Sequence, residues 1–259
     1  MRLTGIAEVT ALVTGAAGAI GAATARQLAA EGAIVAVADI DEDGAHTVAG
    51  HLGPAAHPVR LDVTDSGDVE RAVRDVEDRL GPIGILVNAA GVLGRTAPLT
   101  EQEDAEWERV FGVNVRGTFN CVRAVGRRMA RRGRGCVITV ASNSAGIVKY
   151  DQGLYGASKA AAQYLTNCAG LELAEHGVRS VVVAPGTTES PMSRSNAHLP
   201  GRRQALLHGD PARHRVGIPR GTLAGPEDIA SVIGFLASDQ AAHMTITTVT
   251  VDGGSTLRP

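Results

Sequence analysis

The chain has 259 residues, 44% of them hydrophobic, and a formal net charge of −2. That length and composition suit one large α/β domain, or at most two small ones, and the near-neutral charge gives no footing to a nucleic-acid or strongly charged partner. Three cysteines, Cys121, Cys136 and Cys168, stand far apart with no CxxC pair, which predicts reduced thiols in an intracellular protein. The opening stretch MRLTGIAEVTALVTG runs into a strand with no long apolar leader, and no apolar run is long enough to span a bilayer. The expectation is a soluble, cytoplasmic protein.

In chain order, short β-rich runs fall at 10–15, 33–40, 57–63, 83–91, 135–142, 179–186 and 247–254. Several are apolar throughout, as strands covered on both faces are. Helical patterns fall between them near 19–31, 66–80, 101–131, 152–176 and 226–237. Strand–helix alternation at this spacing predicts a single doubly wound Rossmann-type domain, with a seven-stranded parallel sheet flanked by helices. Residues 187–225 break the rhythm and are rich in Pro, Arg and His. A long insertion after a strand's carboxyl end is expected to be a substrate lid. The basic run GRRMARRGRG (126–135) reads as a solvated helix end, its cations favoured by the negative end of the helix dipole.

The first strand is followed by TGAAGAIG, with glycines at 15, 18 and 21. Gly15 suits the tight turn, Gly21 lets helix and strand approach, and the helix start at Gly18, Ala19 and Ile20 offers unpaired N–H groups to a pyrophosphate. The second strand ends in Asp39 and Ile40, and Asp39 lies 18 residues beyond Gly21. A carboxylate there accepts from ribose hydroxyls and repels a 2′-phosphate. No Lys or Arg sits in the turn, so NAD is expected over NADP. Asp62 is a candidate acceptor for the adenine amino group, with Val63 beside it. The run Asn88, Ala89, Ala90 and Gly91 brings backbone toward the adenosine ribose.

Tyr155 and Lys159 stand four apart in LYGASKAAAQYL, on one helix face. A free phenol, with a pKa of about 10, is a poor base at neutral pH. An ammonium about 4 Å away contributes roughly 4 kcal/mol at an effective dielectric near 20, enough to bring the phenol well down. The expected result is a tyrosinate that takes a hydroxyl proton while hydride leaves the same carbon. Ser142 ends the fifth strand and can hold the substrate oxygen. Asn114 is a candidate anchor for a water that links Lys159 to solvent. In isolation Asn114 is as well read as a residue that satisfies backbone at a helix kink. His198, His208 and His214 lack paired ligand spacing, so no metal is expected.

In this order, the glycine turn, the strand-end Asp, NAAG, Asn114, Ser142, YxxxK and a PG turn resemble the short-chain dehydrogenase/reductase family across essentially the whole chain. The resemblance implies a catalytic tetrad of Asn114, Ser142, Tyr155 and Lys159. It also implies nicotinamide contacts from Pro185, Gly186, Thr188, Ser190 and Met192 in PGTTESPM, from Tyr155 and Lys159, and a homotetramer paired through the long helices 101–131 and 152–176. Two departures are Ala19 for the usual middle glycine and Ser190 for threonine. The C-terminal half, notably GIPRG and VDGGSTL, is similar to 2,3-dihydro-2,3-dihydroxybenzoate dehydrogenases of catechol siderophore pathways. That implies NAD-dependent oxidation of a ring alcohol of a cyclohexadiene carboxylate to a ketone that aromatises. A dihydro-3-hydroxyanthranilate, a general secondary alcohol or ketone, and a non-catalytic NAD sensor stay open as alternatives. A carboxylate substrate calls for a cation; Arg95, Lys149, Arg194, Arg215 and Arg220 are candidates, with Gln152 as a polar contact to the ring.

Overall fold

A computed structural model describes residues 3–194 and 201–257. The chain opens with β1 (Thr10–Thr14), α1 (Ala19–Ala30), β2 (Ile34–Asp39), α2 (Glu42–Leu52), β3 (Ala56–Arg60), α3 (Ser66–Leu80) and β4 (Ile83–Asn88). There follow α4 (Asp104–Phe111), α5 (Thr118–Arg132), β5 (Gly135–Val140), α6 (Gly153–Ala174) and β6 (Val178–Pro185). The insertion carries α7 (Pro191–Arg194), α8 (Arg202–His208), β7 (Gly209–Asp210) and β8 (Arg215–Val216), and the chain closes with α9 (Pro226–Ala237) and β9 (Thr247–Val251).

Seven strands pair in parallel in the order β3-β2-β1-β4-β5-β6-β9. Alternation along each strand divides the core. Ala11, Val13, Val35, Val37, Ile85, Val87 and Ile138 face α1, α2 and α9, where they meet Leu28, Ala45, Ile229 and Ile233. Leu12, Ala36, Leu86 and Val137 face the opposite layer, with Val69 and Val73 of α3 and Cys121, Val125 and Met129 of α5. Both faces are thus covered, which is why the strands read as apolar runs. The order reverses between β1 and β4, so the crevice at their carboxyl ends is the ligand-binding switch point of this topology.

Three elements depart from the sequence reading. The helix expected at 101–131 is two helices joined by a π-helical turn at Gly112–Gly117, a wide turn of the kind found at functional sites. The helix α2 was not expected. Asp41 caps it by accepting from the Gly44 N–H at 3.0 Å, and Glu42 and Asp43 fill its first turn, but Gly44 and Gly50 weaken its periodic pattern. The insertion has secondary structure of its own: β7 and β8 form an antiparallel ladder, and a parallel bridge from Thr188 to Ala224 ties its two ends together.

Candidate active site

The glycine turn and the first turn of α1 form one wall of a groove over the β1–β4 switch point. Gly15 has φ +66°, and a Cβ there would lie 2.6 Å from Ala90 Cα; a Cβ on Gly21 would lie 2.1 Å from the Gly15 oxygen. The residues are therefore glycines because two backbones and a helix meet there. Gly18 caps α1 with no side-chain hydrogen bond, so first-turn N–H groups are left for a ligand. Ala19, Ile20, Asp39, Ile40, Asp62, Val63, Ala89, Ala90 and Gly91 also line the groove, and Ser190 and Met192 of the insertion overhang it.

At the end of β2, Asp39 accepts from the Ala17 N–H at 2.9 Å and the Asp41 N–H at 3.0 Å, which fixes its carboxylate at the groove. The Asp62 Oδ1 atom accepts from the N–H and the hydroxyl of Thr64. Asn88 does not reach the groove. Its side chain is buried in the sheet, where Nδ2 donates to Thr139 Oγ1 at 3.2 Å, because the strand alternation turns it away from the backbone that follows.

A cleft of about 160 Å³ continues from this groove beneath the insertion. Tyr155, Lys159, Ser142, Lys149, Gln152, Pro185, Gly186, Thr188 and Arg215 all line it. Ser142 follows β5, takes extended backbone, and accepts from the Ser144 N–H at 3.1 Å; it also hydrogen-bonds the Tyr155 phenol. Tyr155 and Lys159 project from α6 one turn apart, with Lys159 Nζ 5.9 Å from the Tyr155 ring centroid.

The buried Lys159 ammonium donates to the Val140 carbonyl at 2.8 Å. Burial pushes its pKa down to about 8. Burial also pushes the Tyr155 phenol up, and the Ser142 hydrogen bond opposes that without cancelling it. The expectation that the Lys159 ammonium, helped by the nicotinamide charge, brings the phenol down meets an opposing effect: burial is the larger influence on Tyr155 and raises its pKa, while Lys159 is engaged by the Val140 carbonyl.

Asn114 lies in the π turn with 1% of its surface exposed. Its Oδ1 accepts from the Val92 N–H at 2.8 Å, and Nδ2 donates to the Val92 carbonyl and Ser158 Oγ, both at 2.9 Å. Its side chain thus pins the loop after β4. A Cβ on Gly91 would lie 3.0 Å from Lys159 Nζ and 3.2 Å from Asn114 Oδ1, so loop, Asn114 and Lys159 meet at one point.

Of the cation candidates, Lys149 and Arg215 line the cleft. Burial, then the Arg215 charge, push the Lys149 pKa down to about 8 against the pull of Asp252. Lys149 Nζ donates to Asn143 Oδ1, and Asn143 Nδ2 donates to Asp252 Oδ2 and Ser255 Oγ, both at 3.1 Å. Burial raises the Asp252 pKa, but hydrogen bonds from Asn143, Ser255 and the Gly254 N–H hold it below the usual carboxylate range. Sequence reasoning missed Asn143 and Asp252; adjacency to Ser142 was the one available signal for Asn143. Arg95 does not reach the cleft: it pairs with Glu103 at 3.6 Å and donates to the Glu101 carbonyl. Arg220 lies against Gly253, outside the cleft. The Arg194 side chain and His198 lie outside the described residues. Among the described residues there is no cluster of metal-ligating side chains, and no helix is long and apolar enough to cross a membrane.

The family model described as enoyl-(acyl carrier protein) reductase, a short-chain dehydrogenase/reductase type, matches residues 15–256. The chain belongs to the short-chain dehydrogenase/reductase family. A 2,3-dihydro-2,3-dihydroxybenzoate dehydrogenase of Bacillus subtilis (strain 168) is 41% identical over 99% of both chains. A sorbitol dehydrogenase of Cereibacter sphaeroides is 38% identical over 98% of this chain and 99% of that one. The structure of a Brucella melitensis 3-ketoacyl-(acyl-carrier-protein) reductase complexed with NADH superposes with a TM-score of 0.88 at 31% identity, covering 97% of this chain and all of that one. As a short-chain dehydrogenase/reductase, the protein is an oxidoreductase acting on CH–OH groups and binds a nicotinamide cofactor. The groove suits such a dinucleotide: its glycine turn admits no side chain, its helix start is uncapped, and its strand-end carboxylate is held toward it.

Proposed function

We propose that the protein oxidises a ring secondary alcohol of a cyclohexadiene carboxylate, of the 2,3-dihydro-2,3-dihydroxybenzoate type, to a ketone that tautomerises to an aromatic ring, and that it uses NAD. The observation that carries this reading is the Lys149–Arg215 pair in the cleft that Tyr155 and Ser142 also line. Lys149 is depressed by burial first and by the Arg215 charge second, and an anionic substrate stabilises two such neighbouring cations; a neutral polyol gives them nothing. The identity to the Bacillus subtilis enzyme supports the same class.

The roles follow from placement. Ser142, hydrogen-bonded to Tyr155, holds the substrate hydroxyl against the phenol. Tyr155, as phenolate, takes the hydroxyl proton. Bound nicotinamide accepts the hydride from the same carbon and contributes a positive charge that favours the phenolate. Lys159 adds positive charge, and its hydrogen bond to Val140 fixes it one turn from Tyr155. Asn114 holds the loop that carries Gly91 against Lys159. Gln152, whose Oε1 accepts from Ser144 Oγ at 3.3 Å, presents its amide to the ring substituents. Asp39 selects NAD by repelling a 2′-phosphate. Residues 187–225 act as the substrate lid.

We also propose a cytoplasmic homotetramer. Trp107, Phe119, Tyr164 and Leu171 are exposed on α4, α5 and α6, the helices through which the family resemblance pairs subunits; sedimentation at 26.6 kDa would contradict it. The substrate reading is tested by offering a dihydroxycyclohexadiene carboxylate and the same diol without its carboxylate, each with NAD, while aromatic product is followed by ultraviolet absorbance. The acid is the preferred substrate by kcat/KM. Equal kcat/KM for the two compounds overturns the reading.

A further inference from the structure

The loop between β3 and α3 is held from several sides. The Asp62 N–H donates to Asp68 Oδ2 at 2.8 Å, and the Asp62 carboxylate accepts from the N–H and the hydroxyl of Thr64. A further hold comes from α5. Asn120, only 3% exposed, donates from Nδ2 to the Val63 carbonyl at 2.9 Å and to the Thr64 carbonyl at 3.4 Å. Its Oδ1 accepts from Arg123 Nη2 at 3.2 Å. Arginine has no acceptor to offer, so this bond fixes the amide with its donors toward the loop. The π turn before α5 closes the same clamp: a Cβ on Gly117 would lie 2.6 Å from Val63 Cγ2. Asp62, Val63 and Thr64 line the dinucleotide groove, and Asn120 does not. A side chain that only filled space between α5 and the loop would be apolar, because a buried amide is costly unless its hydrogen bonds are made.

We propose that Asn120 is a positioning residue for the adenosine half of the cofactor. It fixes the Val63 and Thr64 carbonyls, so that Asp62 and Val63 stand ready where the adenine arrives, and it does so from behind the groove wall. The inference rests on the reading of Asp62 and Val63 as the adenine end of the groove. A loop ordered before binding spares the ligand the entropy of ordering it. A loop released from α5 keeps its binding shape for only part of the time, and the apparent affinity falls by that fraction. The loss falls on ligands that carry adenosine. The nicotinamide half, bound at the Tyr155 and Lys159 end, is not read by this loop.

The test is calorimetry on the whole chain, with ADP-ribose and nicotinamide mononucleotide as separate probes, and it needs no turnover. Asn120→Leu weakens ADP-ribose about tenfold, the scale of a buried hydrogen bond lost with its acceptor left unpaired, and leaves nicotinamide mononucleotide unchanged. Asn120→Asp keeps the size of the side chain and the acceptor for Arg123, but as a carboxylate it has no donor for the loop; it shows the same split between the two probes. Asp62→Ala is the reference for adenine contact. Weakened ADP-ribose in Asp62→Ala with wild-type affinity in both Asn120 variants overturns the proposal and leaves the adenine reading intact. Wild-type affinity in all three variants overturns the adenine reading and the proposal together. Weakening in the Asn120 variants alone upholds the proposal and takes the adenine contact away from the Asp62 side chain. Equal weakening of both probes in the Asn120 variants overturns the proposal, because it makes Asn120 a general support of the fold.

Discussion

The Lys159 ammonium donates to the carbonyl oxygen of Val140 at 2.8 Å, deep in the protein, where burial has pushed its pKa down to about 8. A buried cation held by a neutral carbonyl is a group placed for chemistry at a cost in stability. In the unfolded chain Lys159 returns to its ordinary value of 10.5. The unfolded state therefore binds more protons between about 8 and 10.5, and stability contributed by this site rises with pH across that window. Below about 8 the penalty is fully present, roughly 3 kcal/mol.

Lys159→Met removes that penalty and orphans the Val140 carbonyl, which costs back about 1–2 kcal/mol. At pH 7 and without cofactor the variant is expected to be more stable than wild type by about 1–2 kcal/mol, and inactive. Denaturant unfolding of both proteins checks it; a destabilised variant would show that the ammonium supports the fold.

Gly91 is the second constraint. Gly91→Ala sets a methyl 3.0 Å from Lys159 Nζ and 3.2 Å from Asn114 Oδ1. Overpacking of this kind costs about 1–3 kcal/mol, and it pushes Lys159 off its position. Turnover is expected to fall together with the unfolding midpoint. Wild-type values for both would mean that the loop after β4 yields freely, contrary to the hydrogen bonds that Asn114 makes to Val92.

In the proposed reading Asp39 carries the cofactor preference. A phosphate charge about 6 Å from its carboxylate is repelled by roughly 3 kcal/mol at an effective dielectric of 20, about a hundredfold in binding. Asp39→Ser is expected to raise the NADP-to-NAD ratio of kcat/KM by about that factor. A ratio that does not move would assign the preference to another part of the groove.

Asn143 holds Lys149, the lysine proposed to meet the substrate. Asn143→Ala frees Lys149 from its acceptor and from the tie to Asp252. A hydrogen bond to a charged group is worth about 1.5–3 kcal/mol, so KM for the acid substrate is expected to rise about tenfold or more while kcat stays near wild type. A fall in kcat with KM unchanged would place Asn143 in the chemical step.

The residues that sequence reading located well are those whose spacing is itself geometry. Tyr155 and Lys159 share a helix face because four residues make one turn, and the glycine turn sits at the switch point because strand and helix alternate around it. What escaped was set by tertiary packing. The bond between Asn143 and Asp252 joins positions 109 apart, and no local pattern marks it. Arg95 is the nearer cation to NAAG along the chain, yet Glu103 and the Glu101 carbonyl hold it elsewhere. Asn88 is turned into the sheet by strand alternation. The glycines that weaken α2 as a pattern are tolerated because Asp41 caps it and Ala45 and Ala49 are buried. A Coulomb estimate from spacing also leaves out burial, which raises the Tyr155 pKa and lowers that of Lys159.

The central claim is that Tyr155 removes the hydroxyl proton, and Tyr155→Phe tests it by deleting one oxygen from a cleft whose shape is otherwise kept. Positioned acid–base groups contribute about 10²–10⁴-fold. The expected result is a loss of kcat of that size with NAD binding unchanged, measured by cofactor titration and by the rate of NADH formation. Turnover that survives at the wild-type rate would contradict the account.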